Sequence, residues 1–184
     1  MRLLVTDLEA TCCDKESIPR EESEIIEIGS VIMEYRNGVW TELDDFTVFI
    51  KPEIHKTLTN FCTDLTKITQ EMVDKATDLP EAYKKYEDWA RSYQVNYFAS
   101  WGGYDYRQFV RSLKKHDMEF MFQKHECLNL KELYAKNKPL KKKRGIGLGG
   151  ALRNEGMTFI GTPHRGIDDA KNMSRLLNIC IEND

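Results

Sequence analysis

An apolar run near the start of the chain ends in two acids: Leu3, Leu4 and Val5 lead to Asp7 and Glu9. A short apolar stretch of this kind reads as a buried strand, here over residues 2–8. In a strand, residues i and i+2 share a face, so Asp7 and Glu9 project together at its C-terminal end. Like charges that close repel unless something positive lies between them. Carboxylate oxygens are hard ligands and suit Mg²⁺ or Mn²⁺. Alone, the pair fits two solvated acids as well as it fits a metal site.

The residues that follow alternate between strand and helix patterns. Polar residues 12–24 read as a loop, and "EIIEIGSVIMEY" (24–35) as a second strand. Asn37-Gly38 marks a hairpin turn, and residues 41–52 form a third strand stopped by Pro52. Apolar spacing predicts one helix over 63–76, capped by Thr63 or Asp64, and another over 79–93 with Pro80 at its start. A strand is expected over 95–101, and helices over 104–116, 129–137, 147–156 and from about 166 to 181. Three meandering strands, then helices alternating with at least one more strand, predict an α/β sheet covered by helices. The 184 residues, with no repeat or linker, suit a single domain spanning 1–184.

A net charge of −3 supplies no global positive field, so a nucleic-acid partner needs a local basic patch. Five cysteines without a C-x-x-C pair predict reduced, mostly buried thiols in a cytoplasmic protein. Cys12 and Cys13 lack the ligand spacing of structural zinc. The opening apolar run breaks at Asp7, too early for a secretory signal, and no run is long enough to span a membrane.

Further acids lie at two other places. Asp105 follows "FASWGGY" at a strand–helix junction, where ligand-bearing residues gather in α/β folds. An aspartate there also suits a helix cap. "PHRGIDDAKN" (163–172) offers His164 and a choice of Asp168 or Asp169. Ala170, Met173, Leu176, Leu177 and Cys180 mark the inward face of the last helix. Asp169 leans toward that face. Asp168 faces solvent and favours the helix N-terminus through the macrodipole.

Taken together, "DLEAT" at 7–11, "SWGGYD" at 100–105 and "HRGIDDAKN" at 164–172 resemble the DEDD exonucleases of the DnaQ-like group, on the ribonuclease H-like fold. The histidine is that of the DEDDh branch. Residues 58–76 are similar to its three-prime histone exonuclease-like (Eri-1/KapD) subgroup. The resemblance implies a central mixed five-stranded sheet flanked by helices. It also implies Asp7, Glu9, Asp105 and Asp169 as ligands of two divalent ions, Mg²⁺ or Mn²⁺. His164 would be the general base, Glu9 would bridge both ions, and the backbone at Ala10 would touch the terminal nucleotide. The expected reaction is 3′-to-5′ hydrolysis of single-stranded RNA or DNA, RNA favoured, releasing nucleoside 5′-monophosphates. A polymerase proofreading subunit and a catalytically idle RNA-binding module are the alternatives. The segment 58–76 argues against the first and the intact set of five site residues against the second.

Substrate contacts are less constrained. Lys141–Arg144 concentrate four positive charges, fitting phosphate contact or a solvated loop alike. Gly145, Gly147 and Gly150 spell a dinucleotide fingerprint, but no strand precedes it, so close helix packing explains the glycines better. Trp101, Tyr104, Tyr106 and Phe61 are candidates for stacking on terminal bases, Tyr104 and Tyr106 foremost because they flank Asp105.

Overall fold

The computed structural model describes residues 1–14, 18–138 and 146–181. The basic run 141–144 and Gly145 therefore lie outside the described residues. Five strands form one mixed sheet: β1 (Arg2–Ala10), β2 (Ile25–Arg36), β3 (Val39–Phe49), β4 (Tyr97–Ser100) and β5 (Cys127–Asn129). Their spatial order is β3-β2-β1-β4-β5. The first three strands pair antiparallel, and β4 and β5 add in parallel. This is the central mixed five-stranded sheet that the sequence resemblance implies. The β2–β3 hairpin turns on Asn37 and Gly38, whose φ of 54° and 82° suit the twist of the flanking strands.

Because β1 is central, both of its faces are covered. Leu4 and Leu8 enter one core with Tyr83, Tyr86, Phe98 and Phe109. Those aromatics come largely from α3 (Leu79–Ser92) and α4 (Tyr104–Lys114). Leu3 and Val5 enter the opposite core with Leu130, Leu152, Ala170, Met173 and Leu177. That face is covered by α5 (Leu130–Asn137), α6 (Leu148–Asn154), α7 (Gly166–Ser174) and α8 (Leu177–Cys180). Strand alternation assigns Asp7 and Glu9 to this second face, just beyond the end of the apolar packing.

Several boundaries differ from the sequence pattern. The helix expected over 63–76 is two short ones, α1 (Asn60–Thr66) and α2 (Gln70–Asp74). Lys67 breaks it in the left-handed region at φ 60°. The threonines explain the break. Thr66 Oγ1 donates to the Cys62 carbonyl and accepts the Ile68 N–H, and Thr69 Oγ1 takes the Met72 N–H. Such side chains offer the backbone partners that compete with a continuing helix. The cap of α1 is Thr59, whose hydroxyl accepts from the Cys62 N–H at 3.0 Å, rather than Thr63 or Asp64. Residues 127–129 pair as β5 before Asn129 caps α5. The last helix stops at Ser174, whose hydroxyl bonds back to the Ala170 carbonyl, and restarts at Leu177. None of the five cysteines is in a disulfide; Cys62 and Cys180 are buried and the other three partly so. Among the described residues, no helix is long and apolar enough to cross a membrane.

Candidate active site

Helix α7 lies directly on the backbone of β2, because neither element carries a side chain at the crossing. A Cβ at Gly29 would come within 2.6 Å of Ile167 Cα, and one at Gly166 within 3.0 Å of the Asp7 carbonyl oxygen. Two residues before Gly29, on the same face, lies Glu27, opposite Glu9, while Gly29 itself is opposite Asp7. Glu27 is fully buried. Its carboxylate accepts from the Gly166 N–H at 3.0 Å and from Arg165 Nε and Nη2, both at 3.1 Å. Two absent side chains and one buried ion pair thus set where α7 begins.

Asp169, three residues into that helix, consequently meets Asp7 and Glu9. One oxygen from each of the three carboxylates lies within 4.8 Å of the others, and all three side chains are partly buried. Burial pushes the Asp7 carboxyl well above its usual range, and the negative charges of Asp105, Glu9 and Asp169 push it further. Glu9 is pushed up to about 9, by burial first and then by Asp169 and Glu27. Asp169 rises to about 6 through burial, although the His164 N–H works against the shift. Three carboxyls that resist ionising together, with hard oxygen donors facing one another, are what a divalent cation relieves. The residues present therefore fit such an ion.

Asp105 stands beside this trio rather than inside it. It occupies the first turn of α4, is 4% exposed and accepts the Leu8 N–H of β1 at 3.2 Å. It does not cap the helix; Gly103 holds the N-cap position. Burial raises its carboxyl to about 6, against the opposing pull of the Leu8 N–H.

His164 is exposed, in the loop ahead of α7, with its backbone N–H donating to Asp169 Oδ2 at 2.7 Å. Its φ is 64°. Two further residues of α7 hold the same loop. Asp168 Oδ2 accepts the Thr162 N–H at 2.8 Å, and Asn172 clasps Ile160 through both its N–H and its carbonyl. Asp168 is thus a tether of the loop, in addition to the solvent-facing place at the helix N-terminus that the sequence pattern gave it.

The remaining candidates scatter. Ala10 is buried at a register shift that ends β1, and its carbonyl accepts from Cys62 Sγ at 3.7 Å. Tyr104 is half-buried with the Arg20 guanidinium 5.6 Å from its ring centre. Tyr106, two residues on, points away from it around the helix: its ring packs edge-on against Phe120 at 6.0 Å. Trp101 donates to the Ile146 carbonyl and packs on Tyr134, whereas Phe61 is exposed. Sequence reasoning missed Glu27, Gly29 and Arg165. A lone acid inside the apolar "IIEIG" was the available signal for the first, since a strand buried on both faces has no solvent for it.

Known proteins resemble the chain throughout this arrangement. It is 29% identical over 182 residues to 3′-5′ exoribonuclease 1 of Homo sapiens, covering 95% of this chain and 50% of that protein. It is 30% identical over 184 residues to ERI1 exoribonuclease 3 of Homo sapiens, covering 95% and 52%. The chain thus spans about half the length of these curated relatives. Among solved structures, the nuclease domain of 3′hExo, a DEDDh family member bound to rAMP, aligns with a TM-score of 0.85 at 27% identity. That alignment covers 95% of this chain and 88% of the other. A family model for exonucleases (RNase_T) matches residues 4–177, a span that includes both strand acids, Asp105, His164 and Asp169: the chain belongs to the exonuclease family.

Proposed function

We propose that residues 1–184 form one catalytic domain that removes nucleoside 5′-monophosphates from single-stranded 3′ ends, RNA in preference to DNA, with two divalent ions, Mg²⁺ or Mn²⁺. The observation that carries this reading is the convergence of Asp7, Glu9 and Asp169 to within 4.8 Å, with His164 hydrogen-bonded to one of them. The preference for RNA is supported by relatives named as exoribonucleases and by the rAMP bound to 3′hExo.

Asp7, Glu9 and Asp169 would hold the ions, with Asp105, the neighbouring charge that acts most on Asp7, as the fourth ligand from α4. Bound there, such ions offset the charge of a phosphodiester and make a water acidic enough to attack it near neutral pH. Glu9, on the strand face it shares with Asp7, would help to hold both ions. His164 accepts the proton of the attacking water, a task suited to an imidazole. Its main-chain bond to Asp169 fixes the base relative to a ligand, so both move together. Arg165 is paired with Glu27 rather than with a carboxylate of the trio. The half-buried ring of Tyr104 and the backbone at Ala10 receive the terminal nucleotide.

The test is degradation of matched 3′-labelled RNA and DNA oligonucleotides with Mg²⁺, Mn²⁺ or EDTA. Mononucleotide release with either ion, faster on RNA and abolished by EDTA, is expected. Degradation that continues in EDTA, or none with either ion, refutes the reading.

A further inference from the structure

We propose that Glu27 and Arg165 are a positioning pair for catalysis, whose mutual geometry sets the metal ligands and the base in register. The proposal rests on the exonuclease reading above. Glu27 is a fourth acid on the face that carries Asp7 and Glu9, fully buried and directly opposite Glu9 across the β1–β2 ladder. Left alone, it would be an uncompensated buried charge and a competing ligand beside Glu9. Arg165 prevents both. Its planar fork meets the carboxylate with Nε on one oxygen and Nη2 on the other, at 3.1 Å each. The guanidinium also lies over the Phe49 ring, 5.2 Å from its centre, which braces it from β3.

The consequence for the site follows from chain order. Arg165 directly follows His164, and Gly166, the first residue of α7, gives its N–H to the same Glu27 carboxylate at 3.0 Å. Asp169 comes three residues later and takes the His164 N–H. One ion pair therefore fixes the segment that carries both the base and a ligand. Glu27 touches neither substrate nor ion in this scheme; it acts through α7. Partners one shell out from a metal typically alter affinity or activity by about 10–100-fold.

Two variants separate position from charge. The double variant Glu27→Gln/Arg165→Met removes one charge of each sign, so the net charge at the site is unchanged. Arg165→Lys keeps the charge and loses the fork. For each, Mn²⁺ binding is measured by calorimetry without substrate, and kcat and KM are measured on a 3′-labelled RNA oligonucleotide below the melting temperature. The double variant is expected to bind Mn²⁺ at least fivefold more weakly and to lose at least tenfold in kcat, with KM within about twofold. Arg165→Lys is expected between it and the natural chain. Wild-type Mn²⁺ affinity and kcat in the double variant overturn the proposal. If the double variant does not fold, the same result in Arg165→Lys overturns it. An inactive natural chain refutes the exonuclease reading instead, and the Mn²⁺ titrations still decide the pair.

Discussion

Replacing Gly29 by alanine tests whether the crossing of α7 over β2 is what assembles the site. The added Cβ would lie 2.6 Å from Ile167 Cα and nearer still to Ile167 N and Gly166 C, all of them backbone atoms. Ordinary contact begins at 3.4 Å, so clearing Ile167 Cα alone takes about 0.8 Å, and clearing the nearer Ile167 N and Gly166 C takes the helix back by more than about 1 Å. Overpacking of this kind costs about 1–3 kcal/mol, which lowers the melting temperature by about 3–10 °C in a domain of this size. The retreat carries Asp169 and His164 away from Asp7 and Glu9 by a comparable distance. A shift near 1 Å among reacting groups costs on the order of 10²-fold in rate. Initial rates on a 3′-labelled RNA oligonucleotide, with thermal melts on the same samples, read both effects. Gly147→Ala is the control, because its Cβ meets nothing within 4 Å. Turnover within about twofold of the natural chain in Gly29→Ala, with an unchanged melt, would refute the reasoning.

His164→Ala should lower kcat by about 10²–10⁴-fold while moving KM little; equal turnover removes the histidine from the mechanism. With metal chelated, stability should fall as pH rises from the unfolded carboxylate range through about 9. Glu9 is held up to about 9 and Asp169 and Asp105 to about 6, so the folded state keeps protons that the unfolded state releases. Mn²⁺ should then raise the melting temperature at pH 8 far more than at pH 5, and a melt in EDTA that is flat across that range contradicts the account. Tyr106→Leu should lower the melting temperature through its lost contact with Phe120 and leave KM unchanged, whereas Tyr104→Leu should raise KM. The opposite pattern would move the substrate to the other face of α4.

Much of the frame was legible because local rules and the final packing agree. Asn37-Gly38 turns the hairpin, Pro80 opens α3, and helical phase picks out Asp169, which the structure brings to Asp7 and Glu9. What escaped is what depends on chain segments far apart in sequence. Nothing near Gly29 reveals that the backbone of residue 167 will lie against it. Nothing near Glu27 names its partner 138 residues away. Tyr104 and Tyr106 both flank Asp105 in sequence, yet a helix turns them about 200° apart, so only one can face the acids. The paired threonines at 66 and 69 broke a helix whose apolar spacing looked continuous.

The left-handed backbone at His164 has a consequence for how readily this chemistry can be lost. Histidine, asparagine, aspartate and glycine accept a φ of 64°, and β-branched residues resist it. Exchange for asparagine or glycine would thus remove the proposed base while the loop, its tethers and the helix behind it stayed as they are. Under the proposed mechanism an inert descendant of this chain lies one substitution away and would look, from its main chain alone, like its active parent.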